Sequence, residues 1–214
     1  MIELSPLSTL LATQAGGELA RHKLLWAFDT RLAQIARTTR EPLIGQMRLA
    51  WWHEAISDPH ATKGQGEPIL DALRSSDAVG SPGLLDMLDG WEVLIVEQAL
   101  DRQSLGDYAT GRGGGLFHAL AGDAEVPNWL IDAGAVWALW DLAGHVTDPG
   151  LATQALILGK ERLLPNCPRW PRLWRPMRLA YSLARNDIVQ GRPSPKGLTL
   201  RLYMRLIWLM LTER

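Results

Sequence analysis

Two pairs of carboxylates have the spacing that metal binding requires. Glu54 with Asp58, and Glu97 with Asp101, stand four residues apart, so the members of each pair lie on one helix face and can share a cation. Carboxylate pairs of this kind are also common on solvated surfaces, and both pairs border polar or charged loops. We therefore expect surface charges at these positions and no metal site.

A further pair, Asp141 and His145, lies at the end of the apolar segment GAVWALWDLAGH. At a spacing of four residues the two side chains can form a buried hydrogen bond or a functional His–Asp contact. No nucleophile or metal partner is visible nearby in the sequence. A hydrogen-bonded core histidine is therefore the favoured interpretation.

The glycine-rich segment GRGGGLF at 111–117 has the composition of a phosphate-binding loop. A P-loop also needs a preceding strand and a Lys-Ser/Thr pair, and a dinucleotide fingerprint needs a strand before its glycines; the sequence has neither feature here. Three glycines within a helical pattern instead predict a kink, or a place where another helix or a ligand comes close.

The stretch REPLIGQMRLAWWHEAI at 40–56 combines an arginine with two adjacent tryptophans. Pro42 suits the first turn of a helix. Arg48 stands three and four residues before Trp51 and Trp52, so its guanidinium can stack on an indole or lie along the same groove. Alone, the stretch is typical of a core helix whose tryptophans fill volume. Its predicted apolar face comprises Ile44, Met47, Trp51 and Ala55, widened by Leu49, Trp52 and Ile56.

Positive charge is concentrated at the carboxyl end of the chain. Residues 1–159 contain 10 Lys/Arg and 20 Asp/Glu, a net of −10, whereas residues 160–214 contain 12 and 3, a net of +9. A basic segment with interleaved tryptophans indicates an anionic membrane surface or a protein partner, or packing onto the acidic part of the same chain; we expect no nucleic acid. The residues expected to form this anionic-surface site are Arg169, Arg172, Arg175, Arg178, Arg201 and Arg205.

Length and composition indicate a single domain over residues 1–214, with room for a sizeable core. No uncharged apolar run approaches the ~18–20 residues that span a bilayer, and the amino-terminal residues lack the features of a signal or transit peptide. The single cysteine, Cys167, excludes an intrachain disulfide and a cysteine-based zinc site and is typical of a reducing compartment. We expect a cytoplasmic protein, soluble or peripheral to a membrane.

Helical periodicity recurs along the chain between short breakers, and no segment alternates convincingly at period two. The sequence therefore predicts an all-α, single-domain bundle of about eight or nine helices, in which Gly16-Gly17 can divide the first helix. The predicted helices lie near residues 6–38, 42–57, 68–75, 82–102, 104–121, 127–147, 150–162, 172–188 and 197–212.

Four segments, in matching order, resemble the squalene/phytoene synthase family. REPLIGQMRLAWWHEAI is similar to the arginine-to-tryptophan region after the family's first catalytic helix, and LLDMLDGWEVLI with LGDYATGRGGGLFHALAG resembles the next two helices, including Tyr108. DAGAVWALWDLAGHVTD stands at the position of the second metal-binding helix, and LARNDIVQGRPSPKG resembles a later connection. The resemblance covers most of residues 20–210. It implies an isoprenoid synthase fold whose central cavity holds two prenyl diphosphates clamped by magnesium.

The metal-binding positions of that family are altered in this chain. Family enzymes carry two acidic positions, three or four residues apart, on each of two facing helices, and these carboxylates bind the magnesium ions. Asp29 and Asp141 are acidic but displaced by about one helical turn, and neither has an acidic partner at i+4. The residues at the corresponding positions are Ala33, Gln34 and Arg37 on the first helix, and His145 and Asp148 or Pro149 on the second.

Loss of both metal clusters removes the stabilisation of the leaving diphosphate, a cost of many kcal/mol in the transition state. We therefore interpret the chain as a squalene/phytoene-synthase-like protein that has lost prenyl-diphosphate transferase activity and acts as a binding or assembly module without a cofactor. It resembles the family's non-catalytic branch, which includes a mitochondrial respiratory complex I assembly factor.

Two alternatives stay open. An active prenyl (farnesyl or geranylgeranyl diphosphate) transferase of isoprenoid or carotenoid biosynthesis would use magnesium, with Asp29, Tyr108 and Asp141 as catalytic candidates and Asp86 and Asp89 as further ligands. An isoprenoid or lipid carrier would use a large apolar pocket without chemistry. The residues expected to line the ligand pocket are Arg48, Trp51, Trp52, Tyr108, Trp137, Trp140 and His145.

Overall fold

The computed structural model describes residues 4–97, 99–166 and 168–212; Cys167 lies outside the described residues. Within these ranges every regular element is helical, which confirms the predicted all-α class. The α-helices are α1 (Pro6–Ala12), α2 (Leu19–Thr38), α3 (Pro42–Ile56), α4 (Pro68–Ser75), α5 (Leu84–Val96), α6 (Arg102–Tyr108), α7 (Gly115–Ala121), α8 (Asn128–His145), α9 (Pro149–Glu161), α10 (Arg175–Val189) and α11 (Leu200–Thr212).

Helix starts follow local sequence signals. Proline occupies the first turn of α3, α4 and α9, where its missing N–H costs no helical hydrogen bond. The Asp148 side chain accepts a hydrogen bond from the Gly150 N–H at the start of α9, and Asp101 accepts one from the Ser104 N–H at the start of α6. Because Glu97 is extended and Asp101 caps the next helix, α5 ends at Val96, earlier than the predicted boundary near residue 102.

Two predicted helices are subdivided. Gly16 has a φ of 60°, which interrupts the first helix between α1 and α2 as Gly16-Gly17 suggested. Between α6 and α7 the backbone forms a π-helix over Ala109–Gly114. A π-turn inserts a residue into a helix and shifts the direction of its side chains, and such turns frequently occur at functional sites.

The glycines of this π-helix allow three helices to come into backbone contact. A Cβ atom on Gly113 would overlap the carbonyl oxygen of Gly134 in α8, and one on Gly111 would lie against the backbone of Gly90 in α5. The predicted close approach at GRGGG is therefore confirmed, and its partners are two helices.

The core is one continuous cluster of apolar side chains around α8, which is buried along most of its length. Aromatic rings fill its centre. The rings of Trp26 and Trp137 meet edge to face with centroids 5.1 Å apart, and those of Phe28 and Trp52 at 5.3 Å. Trp140 is fully buried in the same cluster.

Helix α3 presents a different face to the core from the one predicted. Leu49, Trp52 and Ala55 are buried as expected, but Ile44 and Met47 are 43% and 65% exposed. The reason is Gly45, which packs against the Ile95 side chain of α5 and so sets which side of α3 faces inward. Throughout the described ranges no helix combines the length and apolarity needed to cross a bilayer.

We predict that Gly113→Ala and Gly134→Ala each lower the free energy of unfolding by about 1–3 kcal/mol, because the added methyl group must push two backbones apart. Gly17→Ala is the matched control, since a Cβ there meets no atom within 4 Å. Denaturant unfolding measures all three. Equal midpoints for the three variants would contradict the contact.

Candidate functional site

The π-helix carries one charged side chain, Arg112, into the centre of the bundle, where it is 4% exposed. Its guanidinium forms a two-pronged pair with Asp29 of α2: Nε donates to Oδ1 and Nη2 to Oδ2, both at 3.0 Å. Asp29 is 5% exposed. The planar fork of arginine matches a carboxylate in this arrangement, so the pair fixes both position and orientation.

A second carboxylate binds the same guanidinium from the opposite helix. Arg112 Nη1 lies 2.8 Å from Asp141 Oδ2 on α8 and donates to the Tyr108 hydroxyl at 2.5 Å. Asp141 remains 23% exposed at its side chain, and its Oδ1 lies 3.5 Å from His145 Nδ1. The cluster therefore reaches from the core to the surface through Asp141 and His145.

Aromatic rings enclose the charges. The Arg112 guanidinium carbon lies 4.3 Å from the ring centroid of Trp91 and 4.8 Å from that of Trp137, within the range of cation–π attraction. The indole N–H of Trp91 donates to Asp29 Oδ1 at 2.8 Å. The sequence did not predict Trp91 to belong to a site, although its indole donates this hydrogen bond and its ring encloses one side of the guanidinium.

The electrostatics favour a charged guanidinium. Burial acts to lower the pKa of Arg112, but the charges of Asp29 and Asp141 outweigh it and raise that pKa well above its usual value. Burial raises the pKa of the Tyr108 phenol, which therefore stays protonated and neutral. One guanidinium between two carboxylates leaves the cluster with one excess negative charge if both carboxylates are ionised.

The residues at this site do not fit a magnesium ion. Both oxygens of Asp29 and one oxygen of Asp141 already accept N–H groups, and the Arg112 guanidinium lies between the two carboxylates. A divalent cation would have to displace this guanidinium, and it needs about six oxygen ligands. Among the described residues no group of three or more His, Cys, Asp or Glu side chains is placed to hold a metal.

The further acidic candidates lie apart from the cluster. Asp86 and Asp89 are exposed on α5 and line a separate cleft of about 390 Å³, together with Asp107. Burial raises the pKa of Asp89 there.

The structure divides the residues that were predicted to line a ligand pocket. Tyr108 and Trp137 contact the Arg112 guanidinium. His145 lies at the edge of the cluster, next to Asp141. Trp52 and Trp140 are buried in the apolar core. The other two, Arg48 and Trp51, are exposed on α3.

The predicted anionic-surface residues also separate into groups. Arg175 donates to the Met210 carbonyl, and Arg205 pairs with Asp187 at 2.8 Å, so both hold α10 to α11. Arg178 is half-buried. Three remain exposed: Arg169, Arg172 and Arg201.

The carboxylate pairs organise local structure, as expected for surface charges. Glu54 pairs with Lys63 at 2.7 Å. The backbone N–H groups of Lys63 and His60 in the following loop donate hydrogen bonds to the Asp58 carboxylate. These hydrogen bonds stabilise the ionised form and hold the pKa of Asp58 far below its usual value. Asp101 caps α6.

His145 lies at the surface, and its Nδ1 contacts the backbone carbonyl oxygen of Asp141 at 2.8 Å. The interpretation of His145 as a core histidine is therefore wrong.

A polar cleft of about 500 Å³ lies between α2 and the end of α7. Arg21 crosses it and donates to the Ala119 carbonyl at 2.6 Å, which satisfies an open carbonyl at the end of α7. His22 lines the same cleft and is 2% exposed. Burial, and secondly the charge of Arg21, lowers the pKa of His22 from 6.5 to about 4.

Sequence reasoning identified both aspartates and missed the arginine that joins them. One signal was available: Arg112 is the only Lys, Arg, Asp or Glu between Asp107 and Asp123, within a glycine-rich helix. A lone charge in such a segment is expected to be paired, because an isolated buried charge is costly.

Comparison with known protein families, curated proteins and solved structures gives no match to this chain.

We predict that Arg112→Met lowers the free energy of unfolding by about 3–5 kcal/mol at neutral pH, because two carboxylates lose their buried counterion. Denaturant titrations at neutral pH measure the effect. Arg102→Met is the control: it breaks an exposed pair with Glu161 and should change little. Similar losses for the two variants would contradict the cluster's role.

His22 should make stability sensitive to acid. Its folded-state pKa lies below the ordinary value of 6.5, so its contribution is complete above about pH 6.5 and is lost as the pH falls towards 4, by up to about 1.4 kcal/mol per pH unit. His22→Gln should flatten this slope, whereas His60→Gln, at an exposed loop position, should leave it unchanged. An unaltered slope in His22→Gln would place the acid sensitivity elsewhere.

Proposed function

We propose that this protein is a squalene/phytoene-synthase-like helical module that has lost prenyl-diphosphate transfer and acts by binding or assembly. The observation that carries the proposal is the buried Asp29–Arg112–Asp141 cluster. Asp29 and Asp141 lie on two different helices, about one helical turn from the positions where the resemblance implies magnesium ligands, and here both bind the chain's own guanidinium.

The chemistry of prenyl transfer explains why this exchange matters. A prenyl diphosphate ionises when divalent cations neutralise the diphosphate as it leaves. The positive charge of Arg112 is already paired with two carboxylates. Its hydrogen-bond donors point at Asp29, Asp141 and Tyr108, so they are not available to a diphosphate. The cluster is thus built to hold helices together, and it offers little stabilisation to a leaving group.

The filling of the interior supports the same proposal over a carrier of isoprenoids. A carrier needs a large apolar pocket, but Trp52, Trp137 and Trp140 are 0–4% exposed and packed among other side chains. Both described clefts are instead lined partly by charged side chains. Large apolar side chains are exposed on the outside of α3 and α11, as is common for proteins that act through surface contacts.

The test is an assay of pyrophosphate release from farnesyl and geranylgeranyl diphosphate with magnesium. We expect the unsubstituted protein to release no more pyrophosphate than Asp141→Asn, which removes one charge at a position that is 23% exposed. Magnesium-dependent release that Asp29→Ala or Asp141→Ala abolishes would overturn the proposal and favour an active transferase. A known prenyl transferase in the same assay confirms that turnover is detectable.

A further inference from the structure

Helix α11 is apolar on two opposite sides. Leu202, Leu206 and Leu209 are 1–3% exposed and face the bundle. The opposite side carries five large apolar residues, which we call the outer face of α11. These are Leu200 (77% exposed), Tyr203 (41%), Met204 (56%), Trp208 (61%) and Leu211 (67%).

The spacing makes the outer face a continuous stripe. Its residues follow one another at intervals of three, one, four and three positions, which keeps them on one side of a helix. A surface helix normally has one apolar side, which faces the core, so a second apolar side that faces solvent is unusual. Two contacts between α10 and α11 hold α11 in this orientation. Arg175 of α10 donates to the Met210 carbonyl of α11, and Arg205 of α11 donates to Asp187 of α10.

The charge around the outer face is positive. From residue 188 to residue 212 the chain contains four basic residues and no acidic one. Arg192 and Arg205 are neutralised in part by Asp187, which directly precedes this stretch. Lys196 and Arg201 are exposed, and Arg201 borders the outer face at its Leu200 end.

We propose that the outer face of α11 docks into the interface of an anionic lipid membrane. The helix has 13 residues and is about 20 Å long, too short to cross a bilayer, so it lies along the surface. Tyr203 and Trp208 suit the boundary between headgroups and acyl chains, and Arg201 can reach the phosphates. The inference is independent of the proposed function, because it concerns a surface away from the ion cluster.

Charge complementarity favours lipid over a second copy of this chain. Pairing two outer faces would bring two acid-free, basic segments together, and like charges oppose such contact. An anionic bilayer instead attracts each exposed basic residue at close range. The outer face of α3 lacks this complementarity, because Glu41 and Glu54 accompany Arg40 and Arg48 along it.

The experiment is flotation of the full chain with vesicles of phosphatidylcholine, alone or mixed with an equal part of phosphatidylglycerol. We expect binding to the anionic vesicles only, weakening as salt rises from about 0.05 to about 0.5 M. Arg201→Gln should weaken binding about fivefold. The double variant Met204→Gln with Leu211→Gln should weaken it at least about tenfold, because two apolar side chains no longer leave water.

The matched control is Leu43→Gln with Met47→Gln on α3, two residues that are 67% and 65% exposed and should leave vesicle binding unchanged. Circular dichroism checks that each variant is folded. Failure to bind anionic vesicles at low salt overturns the proposal, as does equal loss in both double variants. A solution dimer that the α11 double variant dissociates would make the outer face an interface between copies and would also overturn it.

Discussion

The buried guanidinium of Arg112 is the constraint on which the packing of the helices depends. A charge this deep is tolerated only when it is paired and its donors are satisfied, so α2 must deliver Asp29 and α8 must deliver Asp141 to the same point. Trp91 of α5 then contributes a ring above the cation and a hydrogen bond to Asp29. Three helices are thereby held in one relative position by a single side chain.

The π-helix and its glycines are what place that side chain. The extra residue in the π-turn directs Arg112 inward, and the absence of a Cβ on Gly111 and Gly113 lets α5 and α8 approach until their rings close over the cation. Since the low dielectric that surrounds the cluster strengthens its ion pairs, close packing and charge pairing support each other. Loosening either weakens both.

Charged residues in the interior and at the surface of this protein therefore have different roles. Inside, the charges of Asp29 and Asp141 are used in holding helices, which leaves them poorly suited to bind a metal. Outside, α11 keeps an apolar face and exposed basic residues whose charges Asp187 does not balance completely. The basic end of the chain is partly neutralised from within its own segment, so the electrostatic asymmetry of the sequence persists in the fold.

The sequence alone determined the helical class and most helix boundaries, because proline starts, side-chain caps and glycine breaks act over a few residues. It also identified GRGGG as a place of close approach. It could not predict that Asp29, 83 residues before Arg112, would share one guanidinium with Asp141, because such a pairing depends on how distant helices cross. For the same reason the inward side of α3 and the exposure of His145 were decided only in the tertiary structure: periodicity identifies an apolar face, but the close packing of Gly45 on Ile95 selects which face is buried.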